Sequence, residues 1–145
     1  MKVLIAVDGS PVSRRAVDFA RGLLSGRRAS IVLLHVISEH LIAGKGGVVP
    51  AEVYDMPRER ATSNALLDEV AQRLRDGGDF ASIEQQLSVG DPADRILSAA
   101  TEYEVDLIVM GSRGLNAASR FFLGSVSTRV ATHTRRSILI VHPDA

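Results

Sequence analysis

Four short runs rich in Val, Ile and Leu punctuate the chain: Val3 to Val7, Ile31 to Ile37, Asp106 to Met110, and Ile138 to Val141. None alternates cleanly with polar residues, which is the pattern of strands covered on both faces, as in a parallel sheet. A fifth segment, Ser82 to Val89, is far more polar and reads as an edge strand. Between the runs, apolar residues recur with helical spacing. Ser10-Pro11 offers an N-cap followed by proline at the first helical position, and Asp91-Pro92 repeats the device. After Pro11, the residues Ala16, Ala20, Leu23 and Leu24 share a face. After Pro57, Leu66, Val70 and Leu74 do so, and Gly77-Gly78 ends the helix. Ile96, Ala100 and Tyr103 mark a third helix, and a fourth is predicted from near Ser125 with Val126, Val130 and Ala131.

Strand and helix alternate throughout, which predicts an α/β fold: a five-stranded, doubly wound parallel sheet with helices on both faces. Without a linker, repeat or low-complexity tract, residues 1–145 read as one domain. The longest irregular piece, Ser38 to Met56, carries Gly44-Lys45-Gly46-Gly47 and has the length of a functional cover or a disordered segment. The last strand of such a sheet commonly lies at an edge. Here it would be Ile138-Leu139-Ile140-Val141, an uncharged, β-prone edge that invites pairing. A homodimer through this edge is the expectation.

Composition narrows the function classes. The chain has 145 residues, 46% hydrophobic, with 17 basic against 17 acidic side chains. No apolar run approaches the ~18 residues of a membrane span. The opening apolar run stops at Asp8, short of the ~7–15 residues of a signal-peptide core, and reads as a strand. Without cysteine there is no disulfide framework or thiol chemistry, which suits a cytoplasmic setting. Balanced charge and six aromatics without tryptophan argue against a general binder of nucleic acid or anionic membrane.

The zero net charge conceals two unlike parts. Residues 1–106 hold 12 basic and 16 acidic side chains, whereas 107–143 hold Arg113, Arg120, Arg129, Arg135 and Arg136 and no acid. Within that segment stand Met110-Gly111-Ser112-Arg113-Gly114, directly after a strand, and Gly124-Ser125-Val126-Ser127, opening a helix. Glycines admit close approach of a bound group. A helix start supplies unpaired N–H donors and the positive end of its dipole, so together they suit phosphate oxygens. The hydroxyls of Ser125 and Ser127 could donate in the same direction. The bland alternative is a strand-to-loop turn followed by a plain helix cap. The segment is not a Walker A loop, and Asp8-Gly9-Ser10-Pro11 stands where a dinucleotide-binding fold carries GxGxxG.

At these residues the chain resembles the universal stress protein family, along nearly its whole length. Val3-Leu4-Ile5-Ala6-Val7-Asp8-Gly9-Ser10 is similar to that family's first strand and turn, Leu34-His35-Val36 to its second strand end, and Gly90-Asp91-Pro92 to its third helix start. Asp106 through Gly114 is similar to its fourth strand and loop. The pattern G-x2-G-x9-G-S, which marks the ATP-binding subgroup, is complete. The resemblance implies a flavodoxin-like three-layer fold with strand order 3-2-1-4-5, dimeric, binding ATP at the carboxyl ends of the strands. It implies that Ala6 and Asp8 line the nucleoside and that Val36 offers backbone groups to adenine. Gly111, Arg113 and Gly114, with Met110 beside them, would approach ribose and phosphates; Gly124, Ser125, Val126 and Ser127 would hold the phosphate chain. Thr134-Arg135-Arg136-Ser137 departs from the proline-containing turn of many members, which bears on the dimer edge.

Single residues have simpler readings beside these. Asp8 could hold a magnesium ion on the nucleotide or only cap the first helix. Lys45 reads as solvated. His35, His40, His133 and His142 have no metal-ligand spacing, and His35 reads as a hydrogen-bonded core histidine. The serines lack a nucleophile elbow, and Phe121-Phe122 read as core filling. Three function classes remain open: a nucleotide-dependent regulator that orders the loops around Gly44–Gly47 and Arg113–Leu123, a slow ATPase or phosphotransferase, and an interaction module that binds no nucleotide.

Overall fold

The computed structural model describes residues 1–38, 56–114 and 123–144. The segments around Gly44–Gly47 and between Leu115 and Phe122, with Lys45, His40 and Arg120, lie outside them. Five strands, β1 (Lys2–Ala6), β2 (Ser30–Ser38), β3 (Ser82–Gly90), β4 (Leu107–Gly111) and β5 (Ser137–Val141), alternate with α1 (Pro11–Leu24), α2 (Met56–Gly77), α3 (Pro92–Glu102) and α4 (Ser125–His133). All pairings are parallel, in the order β3-β2-β1-β4-β5. The fold and strand order are those expected.

Strand pleating sends alternate residues to opposite faces, so β1, β2, β4 and β5 feed two cores, while β3 feeds one through Ile83 and Leu87. Val3, Ile5, Ile31, Leu33 and Val109 meet Ala16, Val17 and Ala20 of α1 and Leu67, Val70 and Leu74 of α2. On the other face Leu4, Leu34, Ile108 and Met110 meet Ala93, Ile96 and Ala100 of α3 and Val130 of α4. Near-continuous apolar strands are the consequence.

Two helices begin as expected. Ser10 caps α1 by accepting from Ser13 N, and Asp91 caps α3 by accepting from Asp94 N, with proline following each; such caps contribute about 1 kcal/mol apiece. Two details differ from expectation. Leu23 is exposed, on the flank of α1, while Leu24 beside it is buried in the core. Ala131 is also exposed, and Val130 is the buried member of α4.

Because β1 connects leftward through α1 to β2 whereas β3 crosses over through α3 to β4, the chain reverses winding between β1 and β4. In such sheets the crevice outside the carboxyl ends of the strands, at this reversal point, is the usual ligand position.

Candidate functional site

The first wall of the crevice is the turn after β1. The Val7 amide donates to Leu34 O at 2.9 Å, and His35 Nδ1 lies 2.7 Å from Val7 O. The Asp8 amide donates to Ser13 Oγ at 3.2 Å, and the Ser10 amide donates to Asp8 Oδ1 at 2.9 Å. Gly9 takes φ +82°, a left-handed value glycine adopts without strain. One Asp8 oxygen is thus held locally, as the capping alternative foresaw, while the other faces the second wall.

That second wall is the loop after β4. A Cβ built on Gly114 would lie 2.8 Å from Asp8 Oδ2, so the absence of a side chain is what lets the loop meet the carboxylate. At Gly111 a Cβ would stand 3.0 Å from Val12 Cγ1 and 3.2 Å from Ser13 N, closing β4 onto the first turn of α1.

Ser112 joins this loop to β5 and α4. Its amide donates to Val141 O at 2.8 Å, and its carbonyl accepts from Gly124 N at 2.7 Å and Ser127 Oγ at 2.8 Å. A Cβ on Gly124 would be 3.2 Å from Ser112 O. The two glycine clusters therefore sit back to back. The Ser112 hydroxyl is buried and has no hydrogen-bond partner among the described residues.

Unlike α1 and α3, α4 begins at Gly124 with no side-chain cap, so no side chain competes for the amides of its first turn. Ser125 is exposed and Val126 half-buried. Ser127 is buried, and its hydroxyl proton goes to Ser112 O rather than into the crevice; its amide is what it can offer a ligand. Ala6, Val36 and Met110 share one face of the sheet at the ends of β1, β2 and β4, all packed toward α3 and α4. Arg113 is half-buried beside Ser112.

The basic segment does not converge on the crevice as a whole. Arg129 turns to the start of α3, with Nη1 2.9 Å from Asp91 Oδ1 and Nη2 2.7 Å from Asp94 Oδ1. The Asp94 amide and the Arg129 guanidinium hold the Asp91 carboxyl below the usual range. Among the described residues no three His, Asp or Glu side chains gather as a metal site, so Asp8 would serve a cation only as a single ligand beside phosphate oxygens. Ser112 and Ser13 escaped the sequence reading because a lone serine announces nothing; their place immediately after a strand and three residues past an N-cap was the available signal.

This arrangement has known counterparts. A model of the universal stress protein family matches residues 1–142. The chain belongs to this family. It is 34% identical to Universal stress protein YxiE of Bacillus subtilis, over 97% of each chain. Among solved structures it resembles hypothetical protein MJ0577 (TM-score 0.83, 26% identity, 99% of this chain and 96% of that one). It also resembles a universal stress protein in complex with cAMP (TM-score 0.73, 29% identity, 98% and 96%).

Proposed function

We propose that this chain is an ATP-binding stress-response protein acting as a nucleotide-dependent regulator. The observation that carries the reading is the meeting of Gly114 with the Asp8 carboxylate beside the uncapped start of α4, at the point where the sheet reverses winding. The residues fit the group: a glycine cradle, a row of first-turn amides aimed outward from a helix dipole, and an orphaned hydroxyl at Ser112. The relative in complex with cAMP supports an adenine nucleotide.

In this reading Ala6 and Asp8 line the nucleoside and Val36 addresses the base. Met110, Gly111, Arg113 and Gly114 border ribose and phosphates, and Gly124, Ser125, Val126 and Ser127 hold the phosphate chain, with Asp8 a single ligand to magnesium. Phosphoryl transfer would need a base for water and a well-held metal. Asp8 is the carboxylate against the glycine loop, and its Oδ1 is already engaged by the Ser10 amide. Regulation by occupancy therefore fits better than turnover.

The same reading makes residues 1–145 one cytoplasmic domain, self-associating through Ile138, Leu139, Ile140 and Val141. In its support, β5 pairs with β4 alone among the described residues. Its edge is uncharged, whereas the opposite edge, β3, carries Glu84, Gln85 and Gln86. Among the described residues no helix is long and apolar enough to cross a membrane. Calorimetric titration with ATP, ADP, AMP and cAMP in magnesium, with phosphate release followed in parallel, tests the function. Saturable ATP binding without sustained turnover is expected. No binding leaves the interaction-module reading, and turnover at about 1 per second or faster makes the protein an enzyme.

A further inference from the structure

The site as described gives His35 no task, yet its ring meets the strand that leads to Asp8. The Val7 carbonyl can only accept, so the 2.7 Å contact puts the hydrogen on Nδ1. In a parallel ladder, a residue whose amide bonds to one position of its neighbour has its carbonyl taken by the amide two residues further on. Val7 donates to Leu34 O, so the regular partner for Val7 O is the Val36 amide. That bond is absent among the described hydrogen bonds, and the β1–β2 register ends at Ala6↔Leu34. The imidazole has taken the amide's place.

We propose that His35 is a positioning residue that keeps the Val36 peptide groups unpaired for the nucleobase and thereby sets a preference for adenine over guanine; this rests on the nucleotide reading above. Val36 N–H and C=O point to the same side as those of Leu34, toward the space beyond the end of β1. They offer one donor and one acceptor. Adenine presents the matching pair, an N1 acceptor beside an N6 amino donor. Guanine presents the inverse, an O6 acceptor beside an N1–H donor, and would leave the strand groups opposed to like groups. With an apolar residue at 35, Val7 O would be orphaned and would recapture the Val36 amide, extending the ladder by one bond and closing the base-reading position.

Three readouts test this. In the ligand-free wild-type protein the Val36 amide should exchange with solvent as an unpaired group; strong protection from hydrogen exchange would overturn the proposal without any nucleotide being needed. By calorimetry, wild-type protein should prefer ATP to GTP, and His35→Leu should lose about tenfold in ATP affinity and narrow that preference. It should still bind inorganic tripolyphosphate as before. His35→Asn, which keeps an amide donor near the Nδ1 position, should restore most of both properties, as a merely volume-filling role would not. Unchanged ATP affinity and ATP/GTP ratio in His35→Leu would sink the idea. A wild-type chain that binds no nucleotide at all would end the proposed function, while the Val36 exchange result would still decide whether His35 frees that amide.

Discussion

Ser112→Ala should stabilise the ligand-free protein, against the usual sign for a buried substitution. Ser112 is 1% exposed, and its hydroxyl has no partner among the described residues. All of its described hydrogen bonds, to Val141, Gly124 and Ser127, run through its own main-chain N–H and C=O, and alanine retains them. A buried unmet hydroxyl costs about 1–3 kcal/mol. Removing one oxygen leaves a void of roughly 10–15 Å³, worth about 0.3 kcal/mol against stability. The balance is a gain of about 1–2.5 kcal/mol. With an unfolding entropy near 2.1 cal/mol/K per residue, a chain of 145 residues should gain about 3–8 °C in Tm. Ser127→Ala is the matched control. It is equally buried, but its hydroxyl donates to Ser112 O, so it should lose about 1 kcal/mol. Thermal melts and urea titrations of both variants without nucleotide decide the matter. A Ser112→Ala protein that melts at or below the wild-type temperature would refute the reasoning, because the hydroxyl would then have a favourable partner.

Gly114→Ala places a Cβ against Asp8 Oδ2, so the carboxylate must turn, straining its bond from the Ser10 amide, or the loop must draw back from it. About tenfold weaker ATP binding is expected by calorimetry, with Tm within about 3 °C because residue 114 is exposed; unaltered affinity would contradict the site. Acid should destabilise the fold. Arg73, with Arg21, depresses the Asp18 carboxyl, Arg14 that of Glu69, and the Asp94 amide with Arg129 that of Asp91. Folded values below the unfolded ones give stability that is complete above about pH 5 and is lost as pH falls through about 4 and below. A urea midpoint that is level from pH 6 to 3 would count against these pairs. Sedimentation at micromolar concentration should show two copies, and a monomer would remove the β5 contact.

Local signals are legible in the sequence because local physics makes them. Ser10-Pro11 and Asp91-Pro92 start helices through bonds spanning three residues. The Val/Ile/Leu runs are strands because both faces of each need covering. Strand order was not readable from periodicity and came with the family resemblance. Leu23 keeps helical register with Ala16 yet is exposed where Leu24 is buried, because register alone does not fix which flank of the apolar stripe the neighbouring elements cover. Arg129 has acid-free surroundings in sequence that point to the phosphate side, but its partners Asp91 and Asp94 stand 38 and 35 residues earlier. The meeting of Gly114 with Asp8 is of the same kind, a contact that exists only once the sheet has assembled.

The unequal ends of the sheet also bear on how far assembly can proceed. Pairing of β5 with its own copy about a two-fold axis uses the same edge on both subunits, so the interface is self-complementary and consumes itself. The combined sheet would then terminate in β3 on either side. There Glu84, exposed in mid-strand, and the neighbouring Gln85 and Gln86 oppose addition of another strand, since polar and charged edges resist extension. An apolar run at both ends would polymerise; one polar end and one apolar end would make a closed pair, with fibre growth barred by the chemistry of the strand farthest from the contact.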